Sequence, residues 1–203
     1  MNILNNRFYI LLEKLSNLLL LNLCWIIASI PIITLFPATA AMFSVIRDWK
    51  IKDEVSVIKP FMIHFKKNFK QSLLIGILWV PFALLLYFDY FYIVQTQTEW
   101  RVYLLVPLFF IALLFTFMSA FLFPVMIHYQ LRIRDVLKNT FIVSLVYFPT
   151  TIVSIILAVS LLAILLFFPI TGLFIFSVAA YLNFLLCNRV FQKIEKLKVA
   201  TSQ

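Results

Sequence analysis

The feature that most constrains this chain is a series of long apolar stretches without charge, one of which runs from Val102 to Ile127. About 20 apolar residues in a helix cross the roughly 30 Å hydrocarbon core of a bilayer. Hydrophobic residues make up 64% of the 203 residues and charged residues 12%, whereas soluble domains average about 45–50% and about 25%. The sequence therefore predicts an all-α, polytopic membrane helix bundle, with residues 1–203 forming a single integral membrane domain.

The basic residues are segregated along the chain in a way that orients it. Seven of the seventeen Lys and Arg residues lie between Arg47 and Lys70, and such segments stay on the cytoplasmic side of a membrane. We expect a protein of the cytoplasmic membrane with this segment and the C-terminal tail from Arg189 inside. Because the basic residues flank apolar spans, the bilayer and its anionic lipid head groups explain the net charge of +9 better than nucleic acid does.

The N-terminal region, about 8–46, allows two interpretations that turn on Pro31 and Pro37. Each proline removes an amide donor and disfavours helix in the residue before it. Either one kinked helix crosses the membrane and leaves the N-terminus outside, or two helices form a proline-turned hairpin. The hairpin is favoured because it places Arg7 and Lys14 inside with the other basic residues. The number of membrane helices is accordingly five or six.

Residues 56–70 predict an amphipathic helix lying in the cytoplasmic interface. Phe61, Phe65 and Phe69 recur every four residues and so share one helical face. Lysines lie between these aromatic residues. The candidates for cytoplasmic docking or for contact with anionic lipid are Lys59, Lys66, Lys67 and Lys70.

The remaining apolar stretches predict membrane spans over about 72–94, 102–127, 141–167 and 170–186. Three polar residues in the apolar regions are candidate functional positions. Asn22 and Asn183 are expected either to fasten helices together or to face a substrate. Asp89 is the acidic residue expected nearest to membrane depth, where it has either a proton or substrate role or an interfacial one with Arg101 as its partner.

Signatures of catalysis are missing from the sequence. With only two glycines, the chain contains no phosphate-binding loop and no dinucleotide fingerprint. His64 and His128 lack a histidine four residues on or a nearby cysteine, so we expect solvated interfacial side chains instead of metal ligands. Cys24 and Cys187 are expected to be small buried hydrophobes. No catalytic residue, cofactor or metal site is predicted, and the chain is not expected to be an enzyme.

Several separated motifs resemble the YesL family, also called domain of unknown function 624. They are LNLCW (21–25), PIIT (31–34), PATAA (37–41), FKKNFKQ (65–71), FLFP (121–124) and VLKN (136–139). One departure is Phe36, where the family more often has glycine before the second proline.

The resemblance implies a bacterial integral membrane protein of unknown function, from a family often encoded near carbohydrate ABC importers and glycan-degrading enzymes. The hypothesis is a non-enzymatic accessory membrane protein associated with a carbohydrate ABC import system, docking on its subunits through the 56–70 helix and the tail. The alternative is a small stand-alone transporter or channel that uses the broken helix at Pro31 and Pro37 together with Asn22 and Asn183.

Overall fold

A computed structural model describes residues 3–52, 55–95 and 100–201, and the side chains within 12–52, 55–95 and 100–197. Within these ranges the chain forms seven α-helices and no strand. They are α1 Ile3–Ser29, α2 Leu35–Ile51, α3 Ile58–Gln95, α4 Arg101–Tyr129, α5 Ile133–Val146, α6 Phe148–Phe167 and α7 Ile175–Thr201, with 3₁₀ turns at Ile32–Thr34 and Pro169–Leu173. The side chain of Arg7, expected on the inside, is outside the described side chains. Residues 96–99, between α3 and α4, are also outside the described residues.

Six of the described helices, all except α5, are long and apolar enough to cross a membrane. The six helices confirm the all-α membrane bundle. Two of them, α1 and α2, come from the N-terminal region, which is therefore a helical hairpin. α2 is the central helix and contacts α1, α3, α4 and α7. Over half of its span, 56%, is buried within the protein, compared with 11% of the α6 span.

The hairpin turns where the prolines predict a break. Pro31 is extended, with φ −74° and ψ 114°, and the hydroxyl of Thr34 lies 2.6 Å from the carbonyl oxygens of both Ala28 and Pro31. α2 begins at Leu35, two residues before Pro37. Pro37 therefore lies in the first helical turn, where backbone N–H groups have no intrahelical acceptor and the missing donor costs nothing.

The separate interfacial helix expected over 56–70 is not what the structure shows. That segment and the span expected over 72–94 form one continuous helix, α3, of 38 residues and about 57 Å. Gly76 and Pro81 both lie inside it. Proline is accommodated in membrane helices when neighbouring groups satisfy the freed carbonyl, and a single glycine weakens a helix without ending it.

The phenylalanine face of this segment contacts protein instead of lipid. Phe61 is 2% exposed, and Phe65 is half-buried against the same core. The rings of Phe61 and Phe65 stack with centroids 6.3 Å apart, and the Phe65 and Phe69 rings meet edge to face at 5.5 Å. The phenylalanine face, which the sequence suggested would lie in the membrane interface, instead packs α3 against the rest of the bundle.

The span expected over 141–167 is interrupted at Tyr147, which separates α5 from α6. Pro149 follows two residues later, and its ring clashes with the preceding turn and cannot donate to it. The hydroxyl of Thr151 donates to the carbonyl of Ser144 across the break, at 2.7 Å. The last helix also differs from the span expected over 170–186, because the 3₁₀ turn delays its start to Ile175 and it continues through the basic tail.

Candidate functional site

α2 and α3 pack side by side in opposite directions with a regular register. The side-chain amide of Asn68 donates to the hydroxyl of Ser44, at 3.0 Å. One turn further along α2, Oδ2 of Asp48 lies 2.6 Å from Nε2 of His64, which is one turn earlier on α3. Because residues four apart share one face of a helix, the two contacts belong to a single line of apposed positions.

We call the end of the bundle where α2 ends and α3 begins the basic end. Away from this end, the same line of apposed positions continues with small residues. Ala40 and Ser72, both fully buried, fall opposite each other in this register. The next step places Phe36 against Gly76, where an added Cβ would lie 2.9 Å from the Phe36 ring. Small residues let membrane helices approach closely. We call this line of eight positions the α2–α3 seam; it comprises Phe36, Ala40, Ser44 and Asp48 on α2 and Gly76, Ser72, Asn68 and His64 on α3.

Asp48 is the buried acid of the seam. It is 4% exposed. Its Oδ2 accepts from His64, and its Oδ1 lies 3.2 Å from Nζ of Lys52, whose side chain is 55% exposed. The hydroxyl of Ser44 donates to the carbonyl of Ala40, at 2.8 Å, while it accepts from Asn68. A buried carboxylate is stable only when it is paired, and here both of its oxygens have partners.

A second polar group lies between α4 and α7. Nε2 of His128 lies 3.1 Å from a carboxylate oxygen of Glu195, and its ring stacks on Phe191 with centroids 4.4 Å apart. Arg47 of α2 lies near this histidine. Nε of Arg47 and Nδ1 of His128 are both buried and have no hydrogen-bond partner among the described residues.

Two further hydrogen bonds connect α3 to the junction of α4 and α5. The amide of Gln71 donates to the carbonyl of Leu131, at 2.7 Å, and Nζ of Lys67 donates to Oε1 of Gln130, at 3.4 Å. Gln130 caps α4 in the left-handed conformation, with φ 48°. The polar residues of the seam, of the His128 group and of this junction together form what we call the polar belt. It comprises Ser44, Arg47, Asp48, His64, Asn68, Gln71, His128 and Glu195.

The chemistry available to the polar belt is limited by how its groups are already engaged. A carboxylate that holds an imidazole can support acid–base catalysis when the imidazole in turn meets a nucleophile. The hydroxyl of Ser44 is bonded to Asn68 and Ala40 and not to His64. In the part of the chain that is described, no three His, Cys, Asp or Glu side chains could hold a metal ion. The contacts within the belt join α2 to α3 and α4 to α7.

The structure places Asn22 and Asn183 in contacts between helices. Asn22 is fully buried; its amide donates to the carbonyl of Gly172, at 2.8 Å, and its oxygen accepts from the backbone N–H of Ser177, at 3.1 Å. Asn183 donates to the carbonyl of Ala120, at 3.2 Å. The two asparagines thus fasten α7 to α1 and to α4 respectively, and their hydrogen bonds go to different partners and not to each other.

The other predicted positions are dispersed. Asp89 and Arg101 are both exposed, and no ion pair joins them among the described side chains. The four lysines of the 56–70 segment are all exposed on α3. Pro31 and Pro37 lie at the turn of the N-terminal hairpin.

Sequence reasoning missed Asp48 and assigned His64 to the solvent. Both residues lie within the segment richest in basic residues, which suggested a wet surface. One signal was available: His64 and Asn68 recur with Ser72 and Gly76 at steps of four, which is a polar and small stripe next to the phenylalanine stripe. Such stripes are typical of close helix–helix contacts in membranes.

Comparison of the sequence with known proteins places this chain in a family. The family model described as "Protein of unknown function, DUF624" matches residues 18–90, a stretch that contains the whole α2–α3 seam. The uncharacterized protein YesL of Bacillus subtilis (strain 168) is 33% identical over 190 residues, which cover 89% of each chain. The chain belongs to the DUF624 family of YesL-like proteins.

Two more relatives come from the same organism. The uncharacterized protein YteU is 27% identical over 180 residues, covering 86% of this chain and 81% of YteU. The uncharacterized protein YesV is 32% identical over 100 residues, covering 48% of each chain. No solved structure matches this DUF624 member. The family assignment therefore agrees with the resemblance in the motifs, and the relatives carry no described activity.

Proposed function

We propose that this DUF624 member is a non-enzymatic accessory membrane protein of a carbohydrate ABC import system. It lies in the cytoplasmic membrane with its basic end and both termini inside. The observation that carries this proposal is the exposed basic surface on the first turns of α3, which the α2–α3 seam holds in a fixed position. The sugar-uptake context implied by the family resemblance selects the type of partner.

The orientation follows from the arrangement of the six candidate spans. An even number of crossings returns both termini to one side, and the connections at that side contain the basic segments after α2 and α4. Arg101, at the start of α4, is the described basic residue at the opposite end. Lys and Arg are enriched in cytoplasmic connections, which supports the basic end being inside.

The proposed docking surface is a stripe on α3 formed by Lys59, Met62, Ile63, Lys66 and Lys70. All five side chains are exposed, and Met62 and Ile63 are 51% and 55% exposed. Their spacing of three or four residues puts them on one face of the helix. A stripe that mixes lysines with apolar side chains suits a partner surface with an acidic rim and an apolar centre, because charges steer the encounter while apolar contact supplies affinity.

Copurification tests this proposal. The tagged chain is isolated in mild detergent from a cell that expresses a carbohydrate ABC importer, and the importer subunits are measured by quantitative mass spectrometry. We expect importer subunits to accompany the wild type. The triple variant Lys59→Gln, Lys66→Gln and Lys70→Gln should lose most of them.

The matched control removes the same charge elsewhere at the basic end. It is the triple variant Arg132→Gln, Arg134→Gln and Lys138→Gln, whose side chains are also exposed. Importer subunits should remain with this control. Recovery of the wild type with no importer subunit would contradict the accessory role, and equal loss from both triple variants would contradict the assignment of the surface.

The alternative is a small transporter or channel, and the helix break at Tyr147 is the observation that favours it. Broken helices form binding sites in many transporters. Asn22 and Asn183, the polar groups first considered for a substrate, are engaged in contacts between helices, which weakens this alternative. Flux of sugars or ions into proteoliposomes that contain this protein alone would favour it over the accessory role.

A further inference from the structure

A cleft of about 370 Å³ lies between α1, the end of α2 and α7. Four polar side chains line it, and they come from all three helices: Lys14 and Asn17, Lys50, and Tyr181. Leu18 and Trp49 supply apolar walls. None of these residues belongs to the polar belt or to the proposed docking surface on α3.

The position of the cleft follows from the contacts that fasten α1. The hydrogen bond between Asn22 and Ser177 joins α1 to α7, and Leu18 and Tyr181 each lie one turn, about 6 Å, from it towards the basic end. The indole of Trp25 donates to the hydroxyl of Thr39, at 3.0 Å, and joins α1 to α2. The cleft therefore begins where these two contacts end, and it lies on their basic side.

The polar groups that line the cleft include donors that have no partner among the described residues. Nζ of Lys14, Nζ of Lys50, the amide of Asn17 and the hydroxyl of Tyr181 make no hydrogen bond or ion pair with another described residue. Among the described residues, no carboxylate lines the cleft. Two ammonium groups with neutral donors beside them are complementary to a phosphate group, whose oxygens accept several hydrogen bonds and carry negative charge.

The depth of the cleft indicates where such a phosphate comes from. Lys14 is the third residue of the apolar span 12–29, and Lys50 is the last but one of the span 32–51. Both ammonium groups therefore lie at the end of a membrane-crossing helix, at the level of lipid head groups. An indole wall is also typical of that level, and here the N–H of Trp49 donates to the carbonyl of Ser56, at 3.3 Å.

We propose that this cleft is a binding site for the phosphate head group of an anionic glycerophospholipid. Lys14 and Lys50 bind the phosphate oxygens, Asn17 and Tyr181 donate to the phosphate or to head-group hydroxyls, and the acyl chains leave along Leu18. A soluble phosphate ester would present the same phosphate group to the cleft as the lipid head group does. The apolar wall and the depth assign the site to lipid.

Native mass spectrometry of the purified protein with added phosphatidylglycerol tests the site. The double variant Lys14→Gln with Lys50→Gln should bind phosphatidylglycerol about thirtyfold more weakly, since each lysine near an anionic surface contributes about fivefold. The control is Arg132→Gln with Arg134→Gln, which removes the same charge from the start of α5 and should leave affinity unchanged. Equal weakening in both double variants, or equal retention of phosphatidylcholine and phosphatidylglycerol by the wild type, would overturn the site.

A second variant separates specific binding from general charge attraction. Tyr181→Phe removes one hydroxyl and leaves the charge unaltered, and it should weaken phosphatidylglycerol binding by about two- to tenfold. Unchanged binding in this variant together with loss in the lysine pair would remove Tyr181 from the site.

Competition with glycerol 3-phosphate distinguishes the two sources of phosphate. Failure of this soluble ester at millimolar concentration to displace the lipid supports the lipid site. Displacement of the lipid, with direct binding of the ester that depends on Lys14 and Lys50, would overturn the assignment to lipid.

Discussion

The two ends of α4 are equally apolar in sequence and very different in structure. Near its C-terminus, at the basic end, Phe121 and Val125 are fully buried in the core. Near its N-terminus, Leu104 and Phe109 are 55% and 63% exposed. In a membrane protein the exposed end is solvated by lipid, so hydropathy cannot distinguish the two environments.

What separates the two ends is the location of the polar side chains. The polar belt, with its paired carboxylates and histidines, lies at the basic end, and there the helices surround it closely. Polar groups in an apolar surrounding require partners from other helices. The polar belt therefore lies in the half where α4 is buried in protein, and the other half of α4 faces lipid.

The largest expected loss in the free energy of unfolding comes from a core substitution in α4, which we compare with the same substitution at the other end of the helix. Phe121→Ala should lower the free energy of unfolding by about 4 kcal/mol, because it leaves a cavity in the core. Phe109→Ala, the matched control, should change it by less than about 0.5 kcal/mol, because lipid or detergent fills the space. Thermal unfolding in detergent measures both. Equal destabilisation by the two variants would contradict the difference between the ends.

The next largest effect concerns the buried contact between Asp48 and His64 in the seam. His64→Leu should lower the free energy of unfolding by about 3 kcal/mol, because it leaves the buried carboxylate of Asp48 with Lys52 as its one remaining partner. Asp48→Asn in the same background should recover part of that loss, since a neutral amide needs no counter-charge. Thermal unfolding of the single and double variants checks this, and additive losses would contradict the pairing.

A smaller effect tests how closely the two helices of the seam approach. Gly76→Ala should cost about 2 kcal/mol, because the new Cβ would lie 2.9 Å from the Phe36 ring and force it to move. Phe36→Leu should restore much of the stability of Gly76→Ala by making room. If Gly76→Ala is as stable as the wild type, the close approach described for the seam is incorrect.

The smallest effect tests the contact between α1 and α7. Asn22→Ala should cost about 1 kcal/mol, which is near the value measured for interhelical hydrogen bonds in membranes. The cost arises because the carbonyl of Gly172 and the N–H of Ser177 both lose their partner. Asn17→Ala is the control, since Asn17 makes no hydrogen bond to another described residue. The two variants are compared by thermal unfolding, and an equal result would remove the role of Asn22.

The sequence was sufficient to predict the membrane bundle and the N-terminal hairpin. Hydropathy depends on the composition of each helix alone, and the hairpin followed from Pro31, Pro37 and the position of the basic residues. These are local properties, or simple counts of charge on either side of a membrane.

The α2–α3 seam and the polar belt could not be predicted in the same way. α3 carries two adjacent stripes at four-residue spacing, one of phenylalanine and one of small and polar residues, and periodicity alone does not say which stripe meets another helix. Both turn out to pack within the bundle. Asp48 and His64 meet because two helices pack in one particular register, which is a property of the folded chain. The break at Tyr147 falls inside the span expected over 141–167, because a proline in an apolar stretch does not by itself tell a kinked helix from a broken one.

Thiol crosslinking across the seam tests the central claim most directly. Cys24 and Cys187 are first replaced with alanine, and cysteines are then introduced as Ala40→Cys with Ser72→Cys or, as the control, Ala40→Cys with Leu73→Cys. The seam predicts efficient crosslinking in membranes for the 40 and 72 pair and little for the 40 and 73 pair, because adjacent residues on a helix point about 100° apart. Efficient crosslinking of the control pair, with none for 40 and 72, would contradict the register on which the polar belt depends.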